Sequence, residues 1–178
     1  MRQLDRSDRA LVALLPPQVS ARVDHWRSLY YPSFQIVPPH ITVAYPPFVP
    51  VEDWARVRPL VAQCLRSFAP FSVLLAQLGV FQGDPSYLWL KPEDGGCLMR
   101  LHETLVERLP QYMPDLDFAY CPHVTIGAFT SAPELQAARR AVSASWQPCR
   151  FELRELVYLA PDEGGVWCVC SRLPLGGS

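Results

Sequence analysis

The sequence has almost no lysine, no excess of charge of either sign and no long apolar run. Lys91 is the only lysine among 178 residues, and 16 basic residues balance 17 acidic ones to give a formal net charge of −1. Such a balance argues against a long electrostatic contact with duplex DNA. No apolar stretch is long enough to span a bilayer, and none follows the polar residues 1–9, so we expect a soluble, cytoplasmic protein without a membrane anchor.

The six cysteines lack the spacing of a zinc site. Only Cys168 and Cys170 are close in sequence, and no Cys-x-x-Cys pair occurs. On a strand these two would share one face and could supply two metal ligands, but the second pair that a structural zinc needs is missing. We therefore expect reduced, buried, structural cysteines and neither a metal nor a cofactor.

Short apolar runs alternate with helical repeats, a pattern that predicts an α+β protein. With 49% apolar residues, a chain of this length buries a substantial core, and we expect one domain. Pro59 predicts a kink or a late start in the second helix. The predicted strands cover 10–15, 71–81, 87–90, 151–159 and 166–173, and two further strands begin at residues 40 and 123. The predicted helices begin near residues 17, 51, 98 and 133.

One tetrapeptide pattern, His-x-Thr-x, occurs twice. It reads His-Ile-Thr-Val at 40–43 and His-Val-Thr-Ile at 123–126, and a proline precedes each copy. Side chains alternate along a strand, so His and Thr project to one face and the apolar residues to the other. Two imidazoles and two hydroxyls are thereby predicted to line one cleft.

The two halves of the chain also share the order helix, His strand, helix and two strands. The motif copies lie 83 residues apart (123 − 40). We interpret this as an internal duplication, with two similar lobes at about 1–92 and 93–178 and one His-x-Thr face in each. A cleft between the lobes would bring His40 and His123 together.

Paired histidines suit acid–base chemistry at phosphorus. The ordinary pKa of histidine, about 6.5, lets a neutral ring accept a proton from a nucleophile while a protonated ring supplies one to the leaving oxygen. The hydroxyls of Thr42 and Thr125 could donate to the non-bridging oxygens. A cyclic phosphodiester, whose alkoxide leaving group needs an acid, fits this set. No Asp or Glu stands beside either histidine to hold magnesium.

Other residues have weaker claims on the site. His25 and His102 lie in helical patterns, and we expect them to be structural or solvent-facing. If the second His strand stays regular, Phe129 keeps the parity of His123 and is a candidate base-stacking residue. Phe48, in the loop after the first motif, is a second candidate. Tyr45 has the opposite parity to His40 and is predicted to pack inward.

The two Pro-His-x-Thr-x copies, at 39–43 and 122–126, resemble the signature of the two-histidine (2H) phosphoesterase superfamily. Leu-Gly-Val-Phe at 78–81, with Tyr-Leu-Trp-Leu at 87–90, is similar to a hairpin of its 2′-5′ RNA ligase and RNA 2′,3′-cyclic phosphodiesterase family. Leu-Val-Tyr-Leu at 156–159 resembles a late strand of that family. One departure is that Gly-Ala-Phe at 127–129 stands where the RNA-ligase branch usually has an arginine.

The resemblance implies a bilobal, pseudo-twofold α+β fold with two antiparallel sheets around a central cleft and helices outside. It implies hydrolysis of 2′,3′-cyclic phosphates on nucleotides or RNA ends without a cofactor, and in some members reversible 2′-5′ joining of RNA. His40 matches the proton donor and His123 the acceptor, with Thr42 and Thr125 as phosphate ligands. We expect a monomer whose partners are these small nucleotides or RNA ends.

Three alternative functions remain to be weighed. A non-catalytic module could use the same cleft to hold a nucleotide or phosphate, although a binder has little need of an acid–base pair. A zinc-stabilised interaction domain would rest on Cys168 and Cys170. A covalent ATP-dependent ligase is disfavoured, because Lys91 is not followed by the Lys-x-Asp-Gly spacing, and a P-loop is also missing.

Overall fold

The computed structural model describes residues 9–176, which form two four-stranded antiparallel sheets and four α-helices. The prediction about the polar residues 1–8 lies outside this range. The strands are β1 Ala10–Leu14, β2 His40–Ala44, β3 Phe71–Phe81, β4 Ser86–Glu93, β5 Val124–Phe129, β6 Cys149–Leu153, β7 Glu155–Pro161 and β8 Trp167–Pro174. The helices are α1 Pro17–Tyr30, α2 Val51–Leu65, α3 Cys97–Arg108 and α4 Ala132–Ser145, with a short 3₁₀ turn at Pro110–Tyr112.

The predicted α+β class and the paired antiparallel sheets are confirmed. The first sheet has the order β2-β1-β7-β8 and the second has the order β5-β4-β3-β6. Both His strands are edge strands, and they lie against each other, since β2 contacts β5. The cleft between the sheets therefore runs along the two motif strands.

The predicted lobes, about 1–92 and 93–178, do not coincide with the two sheets. The first repeat consists of β1, α1, β2, α2 and β3, and the second consists of β4, α3, β5, α4 and β7, with β6 inserted before β7. The last strand of each repeat pairs in the other sheet. Thus β3 of the first repeat joins β4, and β7 of the second joins β1. The second repeat begins with β4, so the boundary falls in the β3–β4 turn. Periodicity identifies strands, but partner choice depends on long-range pairing.

The strand predicted over 151–159 is two strands in different sheets. β6 pairs with β3 in the second sheet, and β7 pairs with β1 in the first. The chain crosses between the sheets at Arg154, which is exposed. The change is visible in the burial pattern, because β6 alternates buried and exposed residues, whereas five consecutive residues of β7 are buried.

Two apolar clusters stabilise the sheets. The large core lies behind both motif strands and includes Ile41, Val43, Val124 and Ile126, with the apolar faces of all four helices. The apolar faces that the alternation predicted for the motif strands are thus confirmed. A smaller cluster lies on the His40 face of the first sheet and comprises Ala10, Val12, Val37, Val157, Leu159 and Trp167, with Leu14 packed against it.

The helix ends follow the local sequence. Pro17 occupies the first turn of α1, and the Ser131 hydroxyl accepts the Glu134 N–H at the start of α4, as expected for caps. α2 begins at Val51 and continues through Pro59, which is exposed, so the late start predicted from this proline does not occur. No helix within residues 9–176 has the length and apolarity needed to cross a membrane.

Candidate active site

The two motif histidines are held by the same hydrogen bond. His40 Nδ1 donates to the Pro38 carbonyl at 2.7 Å, and His123 Nδ1 donates to the Cys121 carbonyl at 2.8 Å. In each copy the acceptor lies two residues upstream, across the proline that precedes the histidine. Because the carbonyl only accepts, Nδ1 carries a proton, and Nε2 is the nitrogen left to exchange one.

Each motif strand contains one extra residue directly after its threonine. Val12 pairs with Thr42 and Leu11 with Ala44, so Val43 is the bulged residue. In β5 the pairing skips Ile126 in the same way. A bulge of this kind turns two consecutive side chains toward one face and reverses the parity beyond it. Both copies therefore share the His-x-Thr face and the same irregularity.

The histidines are close enough to influence each other. Burial lowers the pKa of His40 from 6.5 to about 4, which its hydrogen bond to Pro38 partly opposes, and positive charge on Arg27 or His123 lowers it further. Burial also lowers the pKa of His123, against the effect of its bond to Cys121. Burial therefore favours the neutral form of both rings when no ligand is bound. Neither threonine hydroxyl has a hydrogen-bond partner within residues 9–176.

An aromatic pair stands beside His123. The Phe81 ring meets the imidazole edge-on, with centroids 4.9 Å apart, and stacks on Trp89 at 4.7 Å. Trp89 pairs with Thr125 on one side and with Gly79 on the other. A β-carbon at Gly79 would collide with the indole. Glycine at this position therefore lets the indole lie flat across β3 and support Phe81.

A network of polar groups surrounds the first motif. Arg27 is 2% exposed, and its guanidinium donates to the Asp24 carboxylate at 2.7 Å and to the Val37 carbonyl at 2.5 Å. Its charge therefore lies just upstream of His40. Val37 directly precedes Pro38, whose carbonyl accepts the His40 hydrogen bond. Arg27 therefore holds the segment that leads into the motif.

Two groups from the second repeat bind the backbone of the first motif. The Tyr120 hydroxyl donates to the Thr42 carbonyl at 2.9 Å, and His102 Nδ1 donates to the Val43 carbonyl at 2.8 Å. Their rings stack at 3.9 Å. The expectation that His102 is structural is thus confirmed, and His25 is exposed on α1 as expected.

The two candidate stacking residues are placed away from the cleft. Phe129 is 7% exposed and packs against Tyr30, because the bulge at Ile126 turns it onto the core face. Phe48 is 2% exposed and also belongs to the core. The prediction that Tyr45 packs inward is also wrong, because the bulge at Val43 reverses the parity of the strand. Tyr45 is half-buried and packs edge-on against Phe118 and Tyr120.

Phe81, Trp89 and Arg27 were missed by the sequence analysis. A signal for the aromatic pair was present, because the β3–β4 hairpin was predicted and alternation within it places Trp89 and Phe81 on one face when paired in register. Arg27 gave no such signal. It lies on a helix rich in polar residues, and only the fold buries it.

The prediction that the cysteines are buried is wrong. Cys168 and Cys170 are exposed, and the other four are only partly buried. Among the described residues, no group of three or more His, Cys, Asp or Glu side chains is arranged to hold a metal ion. A groove of about 710 Å³ lies between the end of α1 and α4, and Ala128 and Phe129 of the second motif strand line part of it.

Two antiparallel sheets with a hydrogen-bonded His-x-Thr strand from each are the arrangement of the two-histidine phosphoesterases. The chain belongs to the 2′-5′ RNA ligase superfamily, whose family model matches residues 15–165. Membership indicates a phosphoesterase-type function.

Proteins and structures from several bacteria are similar over nearly the whole chain. A Geobacillus kaustophilus protein named "Putative phosphoesterase" is 25% identical over 169 residues, covering 94% of this chain and 95% of its own. The crystal structure of TT0787 of Thermus thermophilus superposes with a TM-score of 0.70 at 21% identity, covering 96% and 99% of the two chains. E. coli LigT complexed with 3′-AMP gives 0.65 at 17%, covering 95% and 98%.

Proposed function

We propose that the protein is a metal-independent phosphodiesterase that hydrolyses 2′,3′-cyclic phosphates of nucleotides or RNA ends. The observation that carries the proposal is the matched pair of Nδ1–H bonds, from His40 to Pro38 and from His123 to Cys121. These bonds leave Nε2 of both rings for proton transfer. A binding module would not need two histidines in this one tautomer.

In the proposed reaction, neutral His123 accepts a proton at Nε2 from a water molecule whose oxygen attacks the phosphorus. The bond between phosphorus and the ribose 3′ oxygen breaks, and protonated His40 supplies the proton that this oxygen needs. The product is a 2′-phosphate, with His123 protonated and His40 neutral, and exchange with solvent restores the starting state. Thr42 and Thr125 donate to the non-bridging oxygens.

The lowered pKa values fit this cycle because the substrate is an anion. Without a ligand, burial keeps both rings neutral, as a base requires. A phosphodiester between the rings adds a negative charge, which raises the pKa of a nearby histidine and allows one ring to become the acid. The donor role of His40 rests on the family resemblance. The buried charge of Arg27 opposes it, so the two roles need to be assigned by experiment.

The nature of the ligand draws support from relatives. Structures of E. coli LigT are complexed with 3′-AMP, ATP, NADP⁺ or phosphate. Small nucleotides are therefore the class proposed for this cleft, in a cytoplasmic, monomeric enzyme of RNA processing. Ala128, which the bulge turns toward the cleft side, replaces the arginine expected near this position in the RNA-ligase branch. We accordingly propose hydrolysis as the main reaction and RNA joining as a minor one.

The test is hydrolysis of the four nucleoside 2′,3′-cyclic monophosphates and of an RNA ending in a cyclic phosphate, all in EDTA. His40→Ala and His123→Ala are each expected to lower kcat by about 10²- to 10⁴-fold. His25→Ala removes an exposed histidine and is the matched control. If the wild-type protein turns over no substrate but binds 3′-AMP, the rival binding-module function is correct. Undiminished activity in both variants would refute the site.

Product analysis identifies the bond that is cleaved, and a change of leaving group separates the roles of the two histidines. Formation of 2′-phosphates supports the bond cleavage proposed, whereas 3′-phosphates contradict it. With a substrate whose leaving group needs no acid, such as a p-nitrophenyl phosphodiester, the acid variant should recover most of its activity and the base variant should not. Recovery by His123→Ala instead of His40→Ala would exchange the two roles.

A further inference from the structure

The face of the second sheet that carries His123 is open at Phe81, Gln77 and Lys91, whereas the Trp89 indole on the same face is only 9% exposed. On this face β4 presents Trp89 and Lys91, and β3 presents Gly79 and Phe81. Phe81 is partly exposed, Lys91 is exposed, and Gln77, the cross-strand partner of Lys91, is exposed as well. This surface has an aromatic centre, formed by Phe81 on Trp89, and a polar, positively charged part at Gln77 and Lys91.

The corresponding face of the first sheet is closed. Next to His40 and Thr42, the strand β1 presents Leu14 and Val12 instead of polar groups. These belong to the small apolar cluster that Val37 and Trp167 complete. The Trp167 N–H donates to the Ile36 carbonyl at 2.8 Å, which fastens the segment after α1 over the sheet. A ligand held at phosphorus by both motifs has no open surface on this side.

The packing of Gly79, Trp89 and Phe81 holds the aromatic centre in place. Gly79 leaves the room that the Trp89 indole fills, and the indole supports the Phe81 ring at an interplanar angle of 27°. The partly exposed Phe81 ring stands edge-on to His123, with 4.9 Å between centroids. A planar group attached through a ribose to the phosphate would therefore meet this ring first. Base stacking on an aromatic side chain accepts every base, because each has a π-face.

Lys91 lies on the same face and close to His123, because the β4–β5 register pairs Trp89 with Thr125 and Leu90 with Val124 and so brings residue 91 opposite residue 123. Lys91 is two residues from Trp89 on β4, and its side chain forms no hydrogen bond or ion pair within residues 9–176. Its charge also lowers the pKa of the Cys121 thiol, which burial raises, so the lysine lies near the loop that holds His123. A free cation beside an aromatic platform is a common arrangement for the next phosphate of a single strand.

We propose that the open face of the second sheet is the binding surface for the rest of the substrate, with Phe81 stacking on the nucleobase and Lys91 contacting the next phosphate. A strand of two or more nucleotides that ends in a cyclic phosphate would use both contacts, whereas a mononucleotide would use only the contact with Phe81. This inference rests on the proposed function and adds to it two specificity-determining residues.

The first experiment measures base recognition. Hydrolysis of adenosine 2′,3′-cyclic phosphate is compared with that of methyl riboside 2′,3′-cyclic phosphate, which lacks the base. Phe81→Leu is expected to lower the preference of kcat/KM for the adenosine compound by about 5- to 50-fold. The ratio cancels any general disturbance of His123. Phe118→Leu, which removes an exposed ring near the first motif, is the matched control and should leave the ratio unchanged.

The second experiment measures recognition of the next phosphate. A diadenosine ending in a cyclic phosphate is compared with adenosine 2′,3′-cyclic phosphate at about 50 to 300 mM salt. Lys91→Gln should lower the preference for the dinucleotide by about 2- to 5-fold and reduce the slope of log kcat/KM against log salt by about 0.7. Arg139→Gln changes the charge equally at an exposed position on α4, and it should have neither effect.

Binding separates failure of this inference from failure of the proposed function. Calorimetry with 3′-AMP and with methyl riboside 3′-phosphate requires no turnover, and Phe81→Leu should remove most of the affinity difference between them. If the protein hydrolyses no substrate but shows this effect, the binding surface is supported and only the proposed enzymatic activity is refuted. A larger effect of Phe118→Leu, or an unchanged preference in both Phe81→Leu and Lys91→Gln, would overturn the inference.

Discussion

The two His-x-Thr strands are alike in themselves and different in what supports them. Both histidines donate to a carbonyl two residues upstream, and both strands bulge after the threonine. The first motif is held by polar groups, namely Arg27, His102 and Tyr120, that bind carbonyls within or before it. The second is packed by aromatic rings, with Phe81 and Trp89 against His123 and Tyr30 against Gly127.

The difference shows which features the duplicated site needs. The shared features set the tautomer and the direction of four polar side chains, and these are what acid–base chemistry at phosphorus requires. The unshared features concern access. The polar supports accompany a closed sheet face, and the aromatic supports form part of an open one. The two imidazoles are therefore held alike, between sheet faces that differ in their chemistry and in their exposure.

The largest expected effect tests whether the histidines are equal partners. His40→Gln and His123→Gln keep a polar side chain but remove the titrating ring, and each should lower kcat by about 10²- to 10⁴-fold. The double variant should be little worse than the poorer single variant, because one missing proton transfer already disables the reaction. Losses that multiply, measured by initial rates, would show that the rings act independently.

The second effect concerns pH. The pKa of His40 is lower in the folded protein, about 4, than the ordinary 6.5 of the unfolded chain. The unfolded chain therefore binds more protons between these values, and the stability present above pH 6.5 is lost as the pH falls toward 4. We expect His40 to account for about 1–3 kcal/mol of this loss after allowance for solvent screening.

Urea denaturation between about pH 7.5 and about pH 4.5 measures that loss. His40→Gln should flatten the dependence, and His123→Gln should flatten it as well, since its pKa is also lowered by burial. The exposed His25→Gln should change nothing. A wild-type curve that is level across this range would mean that neither imidazole is buried as the structure has it.

A third effect lies in the packing behind the bulges. A β-carbon at Gly127 would stand 2.6 Å from Tyr30 Cβ and 2.8 Å from the Phe129 ring, whereas the corresponding residue in the first motif, Ala44, already fits. Gly127→Ala should lower the free energy of unfolding by about 1–3 kcal/mol. Gly83→Ala, where the nearest atom is 3.4 Å away, is the control. Equal stability of the two variants would contradict the close approach of α1 to β5.

The smallest effect tests the polar support of the first motif. Tyr120→Phe removes the hydroxyl that donates to the Thr42 carbonyl, and we expect a loss of about 1 kcal/mol in unfolding free energy. The loss in kcat should stay below about 10-fold. Tyr45→Phe is the matched control, because the Tyr45 hydroxyl has no hydrogen-bond partner in the described part of the chain. A similar loss in both variants would remove Tyr120 from the support of Thr42.

Most secondary structure and the central four residues could be predicted from local patterns. Prolines, caps and periodicity placed the helices, and alternation placed His40, Thr42, His123 and Thr125 on common faces. Phe129 and Tyr45 were misplaced because a bulge forms only against a partner strand, and it reverses parity from that point on. Arg27 could not be found, since its burial arises from packing against the segment that precedes β2.

The sequence by itself determined the chemistry available to this protein: two histidines that can exchange protons, two hydroxyls beside them and apolar strands to hold them. Local spacing was sufficient because side-chain direction within a strand is a local property. Tertiary structure alone decided which strands share a sheet and which face of the cleft stays open. Both depend on pairing between residues far apart in the chain, as when β7 joins β1 and Trp167 fastens the segment at Ile36.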